Sequence, residues 1–337
     1  STGPAAARRR GDRLIARRHA VVVAVAAALA AQAAAAQVRG VPRVAVLDWE
    51  PAGEERIRPF LETLRELGHV RGETIQVAYV NAGASSERAA AFAAEIVGAR
   101  FDVIVALTTP AGQAVKQATS TIPIVVAAAD PVGAGLVSNL ARPGGNITGA
   151  SNMMPDLESK RIELLRELLP GLSRIAFLGS ARDPATQNFV REAQAAATRS
   201  GIRLDPVLIA DAAEIDGALA AMARDGVGAV LVQPLFALSA QSAAGLAQAA
   251  ARHRIPAVTH FRHFPQSGGL MSYGPMIDFS QRVAARHVDR ILKGARPGDL
   301  PIEQPTHFEL VLNLRTAAAL GLTVPPSLLQ RADELID

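Results

Sequence analysis

The sequence predicts an α/β protein of two doubly wound parallel-sheet lobes joined by a hinge of crossing segments. Three observations predict it. Short apolar runs alternate with amphipathic helical stretches along most of the chain. The alternation restarts near residues 149–155 with no low-complexity linker between the two units. With 337 residues, 49% of them apolar, the chain can bury two sizeable cores.

The first unit begins with a strand over residues 43–47. A helix is expected over 54–67, because Ile57, Leu61, Leu64 and Leu67 recur at helical spacing and Gly68 stops it. Residues 74–80 alternate in the manner of a half-buried strand. Ser86 opens a helix to Val97, residues 101–107 make the next strand, and 110–118 the next helix. The run from Ile122 to Ala129 is apolar throughout, which suits a parallel strand covered on both faces. Its end delivers Asp130 and Pro131, and a loop rich in Gly, Asn and Pro leads to a short strand at 146–150. Such alternation implies right-handed crossovers.

The second unit repeats the pattern. Asp156 or Ser159 opens a helix through Leu169. Strands follow at 173–178, 203–209, 228–232 and 255–259, with helices at 185–199, 213–222 and 240–252 between them. Three further elements fit neither count: a strand-like stretch at 269–273, an amphipathic helix at 278–292 and a strand at 308–314.

Residues 1–36 read as a cleaved signal peptide. A positive stretch (Ala7–Arg18) precedes a short apolar one (Val21–Ala30), and Ala34–Ala36 before Gln37 suits cleavage. The apolar run is too short for a comfortable membrane span. This segment also accounts for the basic excess. Removing its six Arg and one Asp from the 35 basic and 31 acidic residues leaves 29 and 30. Net charge therefore offers no argument for nucleic-acid binding. The chain has no cysteine, which excludes disulfides, thiolate metal sites, Cys nucleophiles and a lipidated Cys anchor. A free periplasmic protein is expected, exported by either the general or the twin-arginine route.

In open α/β sheets, ligands bind at the carboxyl ends of strands, so candidate residues are sought there. Thr108, Thr109 and Pro110 stand between a strand end and a helix start. They serve either as a helix cap or, through free N–H groups and hydroxyls, as a carboxylate holder. Asp130 and Pro131 end the next strand; the acid is either a turn residue or a partner for a ligand ammonium or hydroxyl. Trp49, the one tryptophan, follows the first strand and lies in either core or cleft. In the second unit the strand-end loops are 180–188, 233–236 and 260–261; they supply Asn188 and Phe236. Phe236 offers a stacking face or plain packing. Seven histidines are scattered without metal-ligand spacing, and no metal or cofactor is implied. The loop Asp48–Gly53 is no dinucleotide fingerprint, no nucleophile elbow or Walker loop is present, and Arg142–Gly145 reads as a turn.

Asp130–Ser151 (DPVGAGLVSNLARPGGNITGAS), Gly268–Gly274 (GGLMSYG) and Phe308–Leu314 (FELVLNL) together resemble one known family. It is the ABC-transporter substrate-binding proteins of the type 1 periplasmic kind, relatives of tryptophan/tyrosine-transporter binding proteins. The resemblance covers residues 42–335. It implies lobe one from 42–150 plus 271–303 and lobe two from 151–270 plus 304–337, with three crossings forming a hinge. It also implies a non-enzymatic, monomeric importer component that captures a small solute, an amino acid or other small carboxylate, and docks on a membrane permease. Tyr273 belongs to the family's most specific motif and either faces the cleft or buttresses the hinge. A ligand sensor feeding a receptor and a secreted α/β enzyme are the rival functions.

Overall fold

The structure, a computed structural model, describes residues 40–50, 53–183, 185–276 and 278–337; the expected signal peptide lies outside the described residues. The first sheet is built from β1 (Arg43–Asp48), β2 (Gln76–Asn81), β3 (Val103–Leu107), β4 (Ile124–Ala128) and β5 (Ile147–Ser151). All its pairings are parallel, in the order β2-β1-β3-β4-β5. Three of its helices follow in sequence: α1 (Arg58–Glu66), α2 (Ser86–Gly98) and α3 (Thr109–Ala118). β1, β3, β4 and β5 are buried along their whole length, as continuous apolar runs require between two helical layers.

Local chemistry adjusts the expected boundaries. The helix expected over 54–67 begins as a 3-10 turn at Glu54–Ile57 and becomes α-helical at Arg58. Pro59 lies in that first α turn, where its missing N–H costs nothing. Ser85, not Ser86, caps α2, accepting the Arg88 N–H at 3.3 Å. Gly149 in β5 has φ 140°, and a Cβ there would lie 1.9 Å from the Val126 carbonyl oxygen. Only glycine lets β5 approach β4 so closely.

The second sheet contains β6 (Arg174–Ser180), β7 (Arg203–Ile209), β8 (Ala229–Val232), β9 (Ala257–Thr259), β10 (Met271–Pro275), β11 (Phe308–Asn313) and β12 (Glu334–Ile336). Its order is β12-β11-β10-β9-β8-β6-β7, parallel except for β10 against β11. Its helices are α4 (Glu158–Leu168), α5 (Thr186–Arg199), α6 (Ile215–Arg224), α7 (Ala240–Arg252) and the short α8 (His263–Gln266). After β10 the chain returns to the first lobe as α9 (Phe279–Leu292), which packs on α1, β4 and β5. The last helices, α10 (Leu314–Ala319) and α11 (Pro326–Arg331), stay with lobe two.

The chain crosses between lobes after β5, after β10 and before β11. Met271–Pro275 pairs inside the second sheet, so the return to lobe one follows Pro275 rather than starting at residue 271. The crossings are tied together: Ser151 N–H donates to the Glu303 carbonyl and Glu303 N–H to the Gly149 carbonyl, both at 2.9 Å.

Candidate functional site

The carboxyl ends of the strands of both sheets converge on a cavity of about 530 Å³ between the lobes. Lobe one contributes Thr108, Thr109 and Pro110 after β3, Asn152 after β5, Arg56 before α1, and Gln281 from the start of α9. Lobe two contributes Asp183 after β6, Phe189 on α5, Leu235 and Ser239 after β8, and Phe261 and His263 after β9.

Thr108 carries the strongest backbone signal. Its φ is 96° and ψ 160°, a region open to glycine and costly for a β-branched residue. One tertiary and one local bond hold it there: its N–H donates to the Ala127 carbonyl of β4 at 2.9 Å, and its carbonyl accepts the Gly112 N–H of the following helix at 3.0 Å. The Thr108 side chain makes no capping bond, and its buried Oγ1 has no partner. Of the two roles open to this position, Thr108 therefore does not fill the side-chain cap. The twist leaves the first turn of α3 at the cavity wall, where its N–H groups and positive end suit an anion. Gln281 Oε1 is a second buried, partnerless oxygen on the wall.

Strain at Thr108 is testable without a ligand. Relief of such a backbone conformation is worth about 1–3 kcal/mol, against about 0.5–1 kcal/mol for the extra freedom glycine gains in the unfolded chain. Thr108→Gly is expected to raise the unfolding free energy by about 1 kcal/mol, read from denaturant titrations. A loss of stability would show that the conformation is unstrained.

Asp183 faces the same cavity from lobe two and is 8% exposed. Oδ1 accepts the Ala185 N–H at 3.0 Å, and Oδ2 accepts Gln233 Nε2 at 2.6 Å. Gln233, wholly buried, is fixed through Oε1 by the Ser180 N–H at 2.7 Å and the Thr186 hydroxyl at 3.0 Å. Burial pushes the Asp183 carboxyl up to about 6, and the two donors only partly offset it. Across the cavity wall, Arg56 Nε donates to Asp48 Oδ2 at 2.8 Å, and Tyr79 OH donates to the same oxygen at 3.1 Å. Burial pushes the His263 imidazole down, with the Arg56 and Arg262 charges acting in the same direction.

The residues expected from sequence fall into separate groups. Thr108 and Thr109 line this cavity. Asp130 and Asn188 meet instead across the lobes, Asn188 Nδ2 donating to Asp130 Oδ2 at 2.8 Å. Asp130 Oδ1 also accepts the Gly133 N–H at 2.8 Å, and Arg191 donates to Asn188 Oδ1 at 2.9 Å. Pro131 is a buried turn residue whose carbonyl accepts the Leu136 and Val137 N–H groups. Trp49, 4% exposed, packs on Ala82 and Ala89 and lines a second cavity together with Phe236. Tyr273 lines neither cavity; it stands on β10 with its ring 6.1 Å from that of Phe308. Asp183, Arg56 and Gln281 were not singled out by sequence. The strand-end rule finds the loop holding Asp183 but not which of its side chains turns inward.

Comparison with known proteins gives this geometry a family. The sequence profile of the ABC transporter substrate binding protein family matches residues 43–336. The "Tyrosine-binding protein" of Clostridioides difficile (strain R20291) is 27% identical over 275 residues, 81% of this chain and 78% of that protein. A conserved domain protein from Vibrio cholerae superimposes with a TM-score of 0.81 at 27% identity, covering 88% of this chain and 99% of that one. The ABC domain from Streptococcus pneumonia solved in complex with L-Trp shares the fold, with a TM-score of 0.79 at 24% identity over 88% of this chain and 100% of that one. With the family profile matched over nearly all of the described residues, this chain belongs to the ABC transporter substrate-binding proteins, whose work is capture and not turnover.

Proposed function

We propose that the protein is the exported capture component of an ABC importer and that it binds an amino acid with an apolar or aromatic side chain. One observation carries the ligand class. The first turn of α3, with the partnerless Thr108 Oγ1, and the buried acid Asp183 reach one cavity from opposite lobes. The first suits a carboxylate and the second an ammonium. Leu107, Met154, Leu235, Phe189 and Phe261 surround the space that a side chain would fill. The cavity is ample for one aromatic amino acid.

A zwitterion held this way touches both lobes, so it favours the closed arrangement over any open one. The crossings after β5 and β10 are the places where such closure bends the chain. The closed form is the one a permease would read. The charged and then apolar stretch at the N-terminus supports the export reading, with the periplasm as the compartment. The names of the matched relatives, a tyrosine-binding protein and a tryptophan complex, support the aromatic amino acids as first choices.

The test is a thermal-shift screen with calorimetry on L-tyrosine, L-tryptophan, L-leucine and benzoate, using protein recovered from a periplasmic fraction. A ligand that binds only the folded state raises Tm. A saturable rise with an amino acid, weakened in Thr109→Pro, is the expected result. A rise with benzoate and none with any amino acid would replace the ligand class by a simple carboxylate. Recovery only from cytosol would remove the export reading.

A further inference from the structure

A second cavity of about 520 Å³ opens between the same lobes. It lies at the side of the cleft away from the hinge. Gly83 and Ala84 follow β2 and Ala210–Ala213 follow β7, the edge strands of their sheets, whereas the crossings leave from β5 and β10. Leu235 lines both cavities and partitions them. A hydrogen bond between lobes, from the Ser239 hydroxyl to Glu50 Oε1 at 3.0 Å, joins the partition.

The walls are built, not incidental. Glu50 is 4% exposed and contributes a carboxyl group, while the nearly buried Trp49 and Phe236 contribute apolar ring surface. Arg252 is committed to Asp216, with two donors at 3.1 and 2.7 Å on one oxygen. Glu50 and Asp211 then stand against Arg182 alone among the remaining charged side chains of the wall. Burial raises the Glu50 carboxyl above its ordinary range; Arg56, which tempers that rise, is bonded to Asp48 and lines the other cavity. A desolvated acid of this kind gains most from a cation brought to it.

We propose that this cavity is a second small-molecule site for an organic cation with a flat apolar body, of the arylalkylamine class, its ammonium on Glu50 and its ring against Trp49 and Phe236. Both lobes contribute to the grip, so occupancy favours the closed arrangement as the first cavity's ligand does. Apart from Leu235, which the two cavities share as their partition, the site uses none of the groups assigned to the amino acid.

Phenethylamine titrated into the full chain tests it, by calorimetry and by emission of Trp49, the chain's one tryptophan. Saturable binding with an emission change is expected. Glu50→Gln is expected to weaken it about tenfold or more, as is replacing the probe by uncharged 2-phenylethanol. Asp183→Asn should leave it unchanged. Gly245→Leu is the second variant: this α7 glycine lines the cavity, an added Cβ there meets nothing within 4 Å, and leucine favours helix over glycine. It should fold normally and abolish phenethylamine binding while leaving amino-acid heats intact. No saturable binding, equal binding of 2-phenylethanol, or loss in Asp183→Asn but not in Glu50→Gln would overturn the proposal. The last of these would place the amine in the first cavity.

Discussion

Glu158→Ala is expected to cost about 3–5 kcal/mol of stability, the usual cost of stranding one partner of a buried ion pair. Glu158 and Arg161, one turn apart on α4, are both fully buried and bonded to each other. Arg161 Nη1 donates to His260 Nδ1 at 2.8 Å, which leaves the His260 proton on Nε2, donated to the Met154 carbonyl at 3.2 Å. Burial, and then the Arg161 charge, keeps the imidazole well below its ordinary range and therefore neutral. Without Glu158, Arg161 would be a lone buried cation. Glu158→Leu combined with Arg161→Met should recover most of the loss, because apolar pairs of similar volume replace such bridges at little cost. Denaturant midpoints of the single and double variants measure this. A single variant within about 1 kcal/mol of the parent would mean that water reaches the pair.

This cluster stands directly behind the first cavity. Met154 and Phe189 line that cavity, Met154 accepts the His260 bond, and the Phe189 ring meets the imidazole edge-on at 5.7 Å. Met154 also belongs to the crossing after β5. The buried pair thus anchors one hinge strand to lobe two, and its loss is expected to weaken ligand binding as well as folding.

Asp183→Asn is expected to weaken amino-acid binding about tenfold to a hundredfold, the worth of a charge-assisted hydrogen bond of about 1.5–3 kcal/mol. The pH dependence carries a sign that isolates this residue. Its carboxyl titrates at about 6 in the folded chain and at an ordinary 3.8 otherwise. The folded state therefore holds this proton more tightly than the unfolded one. The stability that the group contributes is fully present below the ordinary value and is lost as pH rises through about 6. The ligand-free protein then carries a penalty on the order of 3 kcal/mol at neutral pH from this one site. A bound ammonium offsets it, so affinity for a zwitterion should fall as pH drops through about 6. Calorimetry and thermal unfolding of parent and Asp183→Asn over about pH 4 to 8 test both halves. Unchanged affinity in the variant, or a pH profile that survives the substitution, would remove Asp183 from the ligand.

Much of the architecture is legible locally. The apolar run Ile122–Ala129 contains β4 because a strand covered on both faces has no polar alternation to show. The same local logic finds Thr108–Pro110 at a strand end, and both threonines do reach the cavity. The motifs at 130–151, 268–274 and 308–314 carry the family, which the profile match over 43–336 supports.

Tertiary structure decided what depends on distant segments meeting. Asp130 and Asp183 both follow strands and look alike in sequence, yet Asp130 is taken by Asn188 across the lobes while Asp183 faces the first cavity. Trp49 follows β1 as expected, but Ala82, Ala89 and the approach of lobe two assign it to the second cavity. β10 joins the second sheet through β9 and β11, pairings that its own composition does not encode. The strain at Thr108 is likewise not legible in its neighbours, since the bond from its N–H to Ala127 on the adjacent strand helps to hold it. Periodicity reports which face of a segment avoids water, a property of that segment alone. Which loop a strand end faces is set by the packing of two lobes whose residues lie far apart along the chain, and that information exists only once the chain has folded.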